Sequence, residues 1–286
     1  MLELLFNPRK AERRTWELFF VGFFYASLSV LLVSWIFSQD FVLVKYSGIL
    51  IICFTVMFSL PFVYYAIRIE ERKIIPDMGS FKLLKEHSRT ILIFLWLFFG
   101  FVVAYSLWYS LIHSPYNFKA QVETYCAINR PADFNSCVLQ HGIKGEESIT
   151  GSFFNDRDRL FLIFINNMNV LIFTLIFSLI FGAGSIFILS WNGSVIAAAI
   201  GIITKADIYK IPFGIARYLL HGAPEIASYF IVALAGGIIS VAITKHEMKK
   251  ERFFDVLRDS INLVILAIVV LFIAAFIEVY ITPKIF

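Results

Sequence analysis

A chain of 286 residues that is 59% hydrophobic and only 16% charged has no soluble reading, because water could not cover that much apolar surface. Its net charge of +4 is ordinary, and the basic residues cluster beside apolar runs, so nucleic acid is excluded as a natural partner. Phe occurs 32 times and aromatics reach 17%, a composition that suits lipid-facing and interfacial positions.

The chain opens MLELLFNPRKAERRTW, with basic residues ahead of a run too long for a cleavable signal core, so the first helix is expected to stay as an anchor. A bilayer span needs about 20 apolar residues. Seven runs qualify, at about 16–37, 45–67, 89–112, 159–181, 185–204, 221–244 and 257–281. They are continuous rather than alternating, which excludes a β-barrel. The expected fold is all-α, a polytopic helical membrane protein of about seven transmembrane helices, with the lipid bilayer as its first partner.

Basic residues set the orientation. Arg9, Lys10, Arg13 and Arg14, then Arg68, Arg72, Lys73, Lys82, Lys85 and Arg89, then Lys245, Lys249, Lys250 and Arg252 should all face the cytoplasm. A seven-span count puts the three groups on one side. It places the amino terminus inside, and loop 113–158 and the carboxyl terminus outside. Spans four and five are joined only by Gly182-Ala183-Gly184, and glycines permit the tight reversal. A re-entrant pair is the alternative there, and it leaves the orientation unchanged.

Loop 113–158 is interrupted by Pro115, Pro131, Gly142, Gly145 and Gly151. It has room for a short helix or two and cannot bury an independent core of much size. Cys126 and Cys137 share it, and an extracytoplasmic position favours a disulfide between them over two reduced thiols. Cys53 lies inside span two as an inert thiol. KADIYKIPFGIARYLL, ahead of span six, reads as an interfacial helix or partial re-entry. KHEMKKERFFDVLRD reads as an amphipathic cytoplasmic helix, or a solvated connector, running into span seven.

Polar side chains inside a span are costly, and they are buried against partners or functional. Asn166 and Asn167 are adjacent in span four and must face different directions, as interhelical glue or as a substrate or headgroup site. Asn192-Gly193 marks a loosened turn or a close helix contact. Gly182, Gly184, Gly222 and the pair Gly236-Gly237 are also read as helix-packing positions. His221-Gly222-Ala223-Pro224-Glu225 is the sharpest local signal. Pro224 suits the first turn of a helix, and Glu225 beside it would face the positive end of the helix dipole. Glu278 lies near the end of span seven, before Pro283 terminates the helix. In the seven-span topology Asn166, Asn167, His221, Glu225 and Glu278 fall in the outer half of the bilayer. One imidazole and two acids there could form a hydrogen-bonded lock, shuttle protons or bind a divalent metal. The metal reading lacks a close ligand pair on one continuous helix, because Pro224 interrupts the spacing from His221 to Glu225. No resident metal, cofactor or catalytic residue is assigned, since no HExxH, GxSxG, P-loop or GxGxxG pattern occurs.

Taken in order, Asn166-Asn167, Gly182-x-Gly184, Asn192-Gly193, His221-Gly222-x-x-Glu225 and Ile277-Glu278-x-x-x-Thr282-Pro283 resemble the stage II sporulation protein M family. So does KEHSRTILIFLWLFFGFVVAYSL, which is similar to that family's first span and the polar helix before it. The resemblance implies a five-helix membrane module, here over 82–286; the two-helix hairpin over 1–81 with basic cytoplasmic ends and the Cys-bearing external loop 113–158 are additions to that pattern. It also implies a non-enzymatic scaffold that organises protein partners at the cell envelope. In spore-formers the family member localises wall-degrading partners. Two other functions stay open: a small transporter or lipid-binding protein using the outer His/Glu/Asn cluster, and an intramembrane enzyme. The glycine-mediated packing equally supports a homodimer face.

Overall fold

A computed structural model describes residues 15–71, 80–112, 116–129, 134–140, 156–181, 185–204, 207–244 and 250–285. Its helices are α1 (Leu18–Phe37), α2 (Ser47–Glu71), α3 (Ser80–Leu111), α4 (Lys119–Asn129), α5 (Phe134–Gln140), α6 (Asp156–Phe181), α7 (Ser185–Ile203), α8 (Ile211–Thr244), α9 (Lys250–Phe276) and α10 (Thr282–Ile285). A widened π turn, Ile277–Ile281, joins α9 to α10. Among the described residues there is no strand, and seven helices are long and apolar enough to cross a membrane. The protein is a polytopic helical membrane protein. Only helices close all their backbone hydrogen bonds within one segment, which is why continuous apolar runs fold this way in hydrocarbon.

The expected spans four and five are both full helices, α6 and α7; Gly182 and Gly184 between them lie outside the described residues. Loop 113–158 does hold two short helices, α4 and α5, clasped by the Cys126–Cys137 disulfide. Its small apolar cluster of Val122, Cys126, Cys137 and Val138 is completed by Ala198 of α7. This cap is also tied to the hairpin: Asn117 Nδ2 donates to Ser34 Oγ at 2.9 Å, and Gln121 Nε2 donates to the Gly48 carbonyl at 2.9 Å.

The core is aromatic. Phe230 of α8 stacks on Phe94 of α3 with ring centroids 5.6 Å apart, and meets Phe98 edge-on at 6.1 Å. Tyr105, fully buried, donates to Thr55 Oγ1 at 2.7 Å, so α3 and α2 share a satisfied polar pair. Helices α1 and α3 pack backbone to backbone. A Cβ on Gly100 would meet the Phe19 carbonyl and the Phe23 nitrogen, and one on Gly22 would meet the Leu97 carbonyl. Without a hydrophobic force between helices in lipid, such small-residue contacts let dispersion hold the pair. Cys53 is exposed on α2 as a free thiol.

Two expectations about α8 are corrected. Residues 211–220 of the stretch ahead of span six are neither an interfacial helix apart nor a re-entry; they are the first part of α8 itself, a helix of 34 residues starting at Ile211. Pro212, at the second helical position, is the proline that suits the first turn. Asp207 opens the preceding short turn: its carboxylate accepts the Tyr209 N–H at 3.1 Å and pairs with Lys210 at 3.1 Å. Lys210, with the Tyr209 N–H, holds the Asp207 carboxyl below its ordinary range. Pro224 is therefore interior to the helix. It has no N–H to offer the Leu220 carbonyl, so a capping role for Glu225 falls away.

Candidate functional site

Because α8 runs unbroken through Pro224, His221, Glu225 and Tyr229 recur at steps of four and share one face of the helix. The interruption that weighed against a close His221–Glu225 pair is absent. Tyr229, fully buried, donates its hydroxyl to Glu225 Oε1 at 2.9 Å. Ser228 Oγ donates to the Glu225 carbonyl at 2.6 Å. One turn nearer the start of the helix, the Tyr218 ring lies 5.7 Å from the His221 ring.

The last span supplies the facing groups. Thr282 N–H reaches back to the Ile277 carbonyl, closing the wide turn that holds Glu278. Thr282 Oγ1 donates to the same carbonyl at 3.2 Å and lies 3.3 Å from His221 Nδ1. With its own proton on Ile277, the hydroxyl can accept from His221 in the tautomer that carries a proton on Nδ1. Pro283 does not end the helix, since α10 continues through it. The π turn accommodates Pro283's missing donor and turns Glu278 toward α8, and single π turns of this kind recur at functional sites. Glu278 lies within electrostatic reach of Glu225, of Tyr218 and of Arg159 at the head of α6. Tyr125 of the cap stands near Tyr218. His221, Glu225 and Glu278 thus come together at the disulfide-bearing end of the bundle.

No hydrogen bond among the described residues joins the asparagines to them. Asn192 Nδ2 donates to the Ile188 carbonyl at 2.8 Å, within its own helix. Asn166 Nδ2 reaches Asn167 Oδ1 at 3.4 Å, with Asn167 buried and Asn166 exposed. Depth in the bilayer had drawn Asn166 and Asn167 into the cluster, but Asn166 and Asn192 each donate to a local acceptor and Asn167 accepts from its neighbour. Among the described residues, no group of three or more His, Cys, Asp and Glu side chains is arranged to hold a metal ion. Tyr229 and Thr282 are site residues that the sequence reading missed. Tyr229 was legible at the i+4 spacing from Glu225, once α8 is taken as continuous.

The glycines divide. A Cβ on Gly236 would stand 2.8 Å from Ser178 Cβ of α6, and one on Gly193 would stand 3.0 Å from the Phe98 ring. Both are close-packing positions, and Gly237 is buried beside Gly236. Gly222 is not: a Cβ there meets nothing within 4 Å. It borders a cavity of about 300 Å³ between α3, α7 and α8, lined by Trp96, Phe99, Ile196, Tyr218, Gly222 and Ile226 among others. Its walls are apolar and carry no charged side chain.

Seven spans, a disulfide-clasped cap and a buried polar stripe define an all-α, multi-pass membrane protein. The family model described as stage II sporulation protein M matches residues 89–283, and the chain belongs to that family. The matched stretch holds α4 to α9 and all of span three, with every polar residue of the cluster. It is also 36% identical over 126 residues to an uncharacterised protein of Methanocaldococcus jannaschii, an alignment covering 43% of this chain and 70% of that one. No solved structure matches.

Proposed function

We propose that this protein is a multi-pass scaffold of the cell envelope that organises protein partners. In this reading the amino terminus is cytoplasmic, and the capped end and carboxyl terminus are outside. The observation that carries it is the bonding of the polar cluster. Glu225 accepts from Tyr229 at 2.9 Å, and His221 faces Thr282 at 3.3 Å. Groups committed to protein partners hold structure, His221 with Thr282 between helices and Glu225 with Tyr229 within α8, whereas a transport path needs groups that face water and exchange partners. The adjoining cavity holds none of the three ionisable groups. The cluster therefore acts as a lock between α8, the π turn and α6 beneath the cap, and it keeps a rigid outer surface for recruitment.

Glu225→Gln should lower stability by about 1–3 kcal/mol, because a buried hydrogen-bonded partner is weakened. Thermal unfolding of Glu225→Gln, Tyr229→Phe and the double variant measures the coupling, expected at about 1 kcal/mol. Proton or solute flux in liposomes that vanishes in Glu225→Gln at undiminished stability would sink the scaffold reading.

A second reading has its own support. An apolar cavity of about 300 Å³ between helices suits a lipid acyl chain, which would make the protein lipid-binding. Gly222→Phe projects a ring into that open space. It should reduce the lipid that co-purifies, read by mass spectrometry, while leaving the melting temperature unchanged or higher. An unaltered lipid complement rules this reading out.

A further inference from the structure

Span four, Arg159–Ile180, is the least enclosed in the bundle: 17% of its apolar window is buried, against 61% for Ile91–Leu111 and 72% for Ile208–Ser240. One face of α6 packs on α8, α7 and α9, through residues such as Asn167, Leu171, Thr174 and Ser178. The opposite face carries Leu162, Asn166, Asn169, Phe173, Ile176 and Ile180, all exposed. These six recur at alternating steps of four and three, the repeat that makes a straight seam on a helix in a left-handed coiled coil.

Two amides stand in the middle of that seam. Asn169 makes no hydrogen bond among the described residues, and Asn166 spends one N–H on Asn167 and leaves its carbonyl oxygen open. Asn169 lies near the centre of the span, where lipid offers no donor or acceptor. An asparagine side chain is too short to reach the headgroups. Beyond Arg258, the exposed face of α9, with Ile265, Val269, Phe272 and Ile273, is apolar and ordinary for lipid contact. The seam of α6 is not.

We propose that the Leu162–Ile180 seam of α6 is the two-fold interface of a homodimer, with Asn166 and Asn169 pairing with their own copies. The amides select this occupant. Each carries both donor and acceptor, so an asparagine is complementary to itself. Two copies inserted in the same sense bring both amides to the same depth automatically, and in a parallel pair each seam residue meets its own counterpart. Phe173, Ile176 and Ile180 close the seam on one side and Leu162 on the other, so water is excluded from the paired amides. Asparagines at such positions fix register and oligomeric state. The interface lies on the far side of α6 from α8, so dimerisation leaves the polar cluster and cap untouched.

The test uses the full chain in native membranes with Cys53→Ser, so that the introduced cysteine is the one free thiol. Oxidative crosslinking of Ile176→Cys should yield a disulfide-linked dimer, and Val269→Cys on the lipid face of α9 should not. Adding Asn166→Leu and Asn169→Leu should lower the association constant about tenfold, read by energy transfer between labelled copies as lipid dilutes them. Retention of the Cys126–Cys137 bond shows that these variants fold. Absence of a homodimer band from Ile176→Cys overturns the proposal. So does equal crosslinking at Val269, a band at the mass of a different protein, or dimerisation indifferent to loss of both amides.

Discussion

Replacing Gly100 by leucine is expected to lower stability by about 3 kcal/mol, among the largest effects of a single substitution on this protein. The first added carbon would overlap the Phe19 carbonyl and stand 2.7 Å from the Phe23 nitrogen. Both are main-chain atoms of α1, so no rotamer change relieves the clash and the two helices must move apart. Separation also releases Gly22 from the Leu97 carbonyl on the same crossing, and dispersion contacts are lost over a length of both helices. Thermal unfolding in detergent reads the loss. Gly222→Ala is the matched control, because nothing lies within 4 Å of the added carbon and alanine is the better helix former. Equal melting of Gly100→Leu and the parent would refute a backbone-to-backbone contact between α1 and α3.

The other large effect belongs to the cap. Cys126→Ser should remove about 3 kcal/mol from the cap's local stability, the closure entropy of a short loop whose ends are 11 residues apart in sequence. The cluster of Val122, Val138 and Ala198 is too small to hold α4 and α5 without the bond. Limited proteolysis should therefore cut within residues 116–140 much faster in the variant, with the spans intact. A cap equally resistant with and without the bond would contradict that dependence.

The number and places of the spans were legible because hydrocarbon imposes a length and a composition that a sequence displays openly. The cap was legible from two cysteines in a polar excursion. The meeting of His221, Glu225 and Glu278 followed from counting crossings. The start of α8 was misread because two prolines, Pro212 and Pro224, each fit a first turn. Propensity cannot rank them, and the choice falls to the packing of residues 211–220. The Gly22–Gly100 crossing escaped notice because a glycine inside an apolar run has no direction until its partner is known. The π turn at Ile277–Ile281 left no mark at all, being a response to Thr282, Pro283 and His221 together. Asn166 was read as a cluster member since depth alone was available, and azimuth separates it from His221.

The length of α8 sets where its carboxylate stands in the bilayer. Its 34 residues extend about 51 Å. A hydrocarbon layer is about 30 Å thick. Even at the steepest tilts seen for such helices, roughly 40°, about 9 Å of it must project beyond the acyl chains. The projecting end is the one bearing Lys210 and Arg217, for residues 231–240 at the other end are almost entirely apolar. Arg217 then stands among phosphates. His221 and Glu225 follow one and two turns below, nearer to that surface than to the midplane. Headgroup charge and interfacial water are therefore only a few residues' length away from this layer.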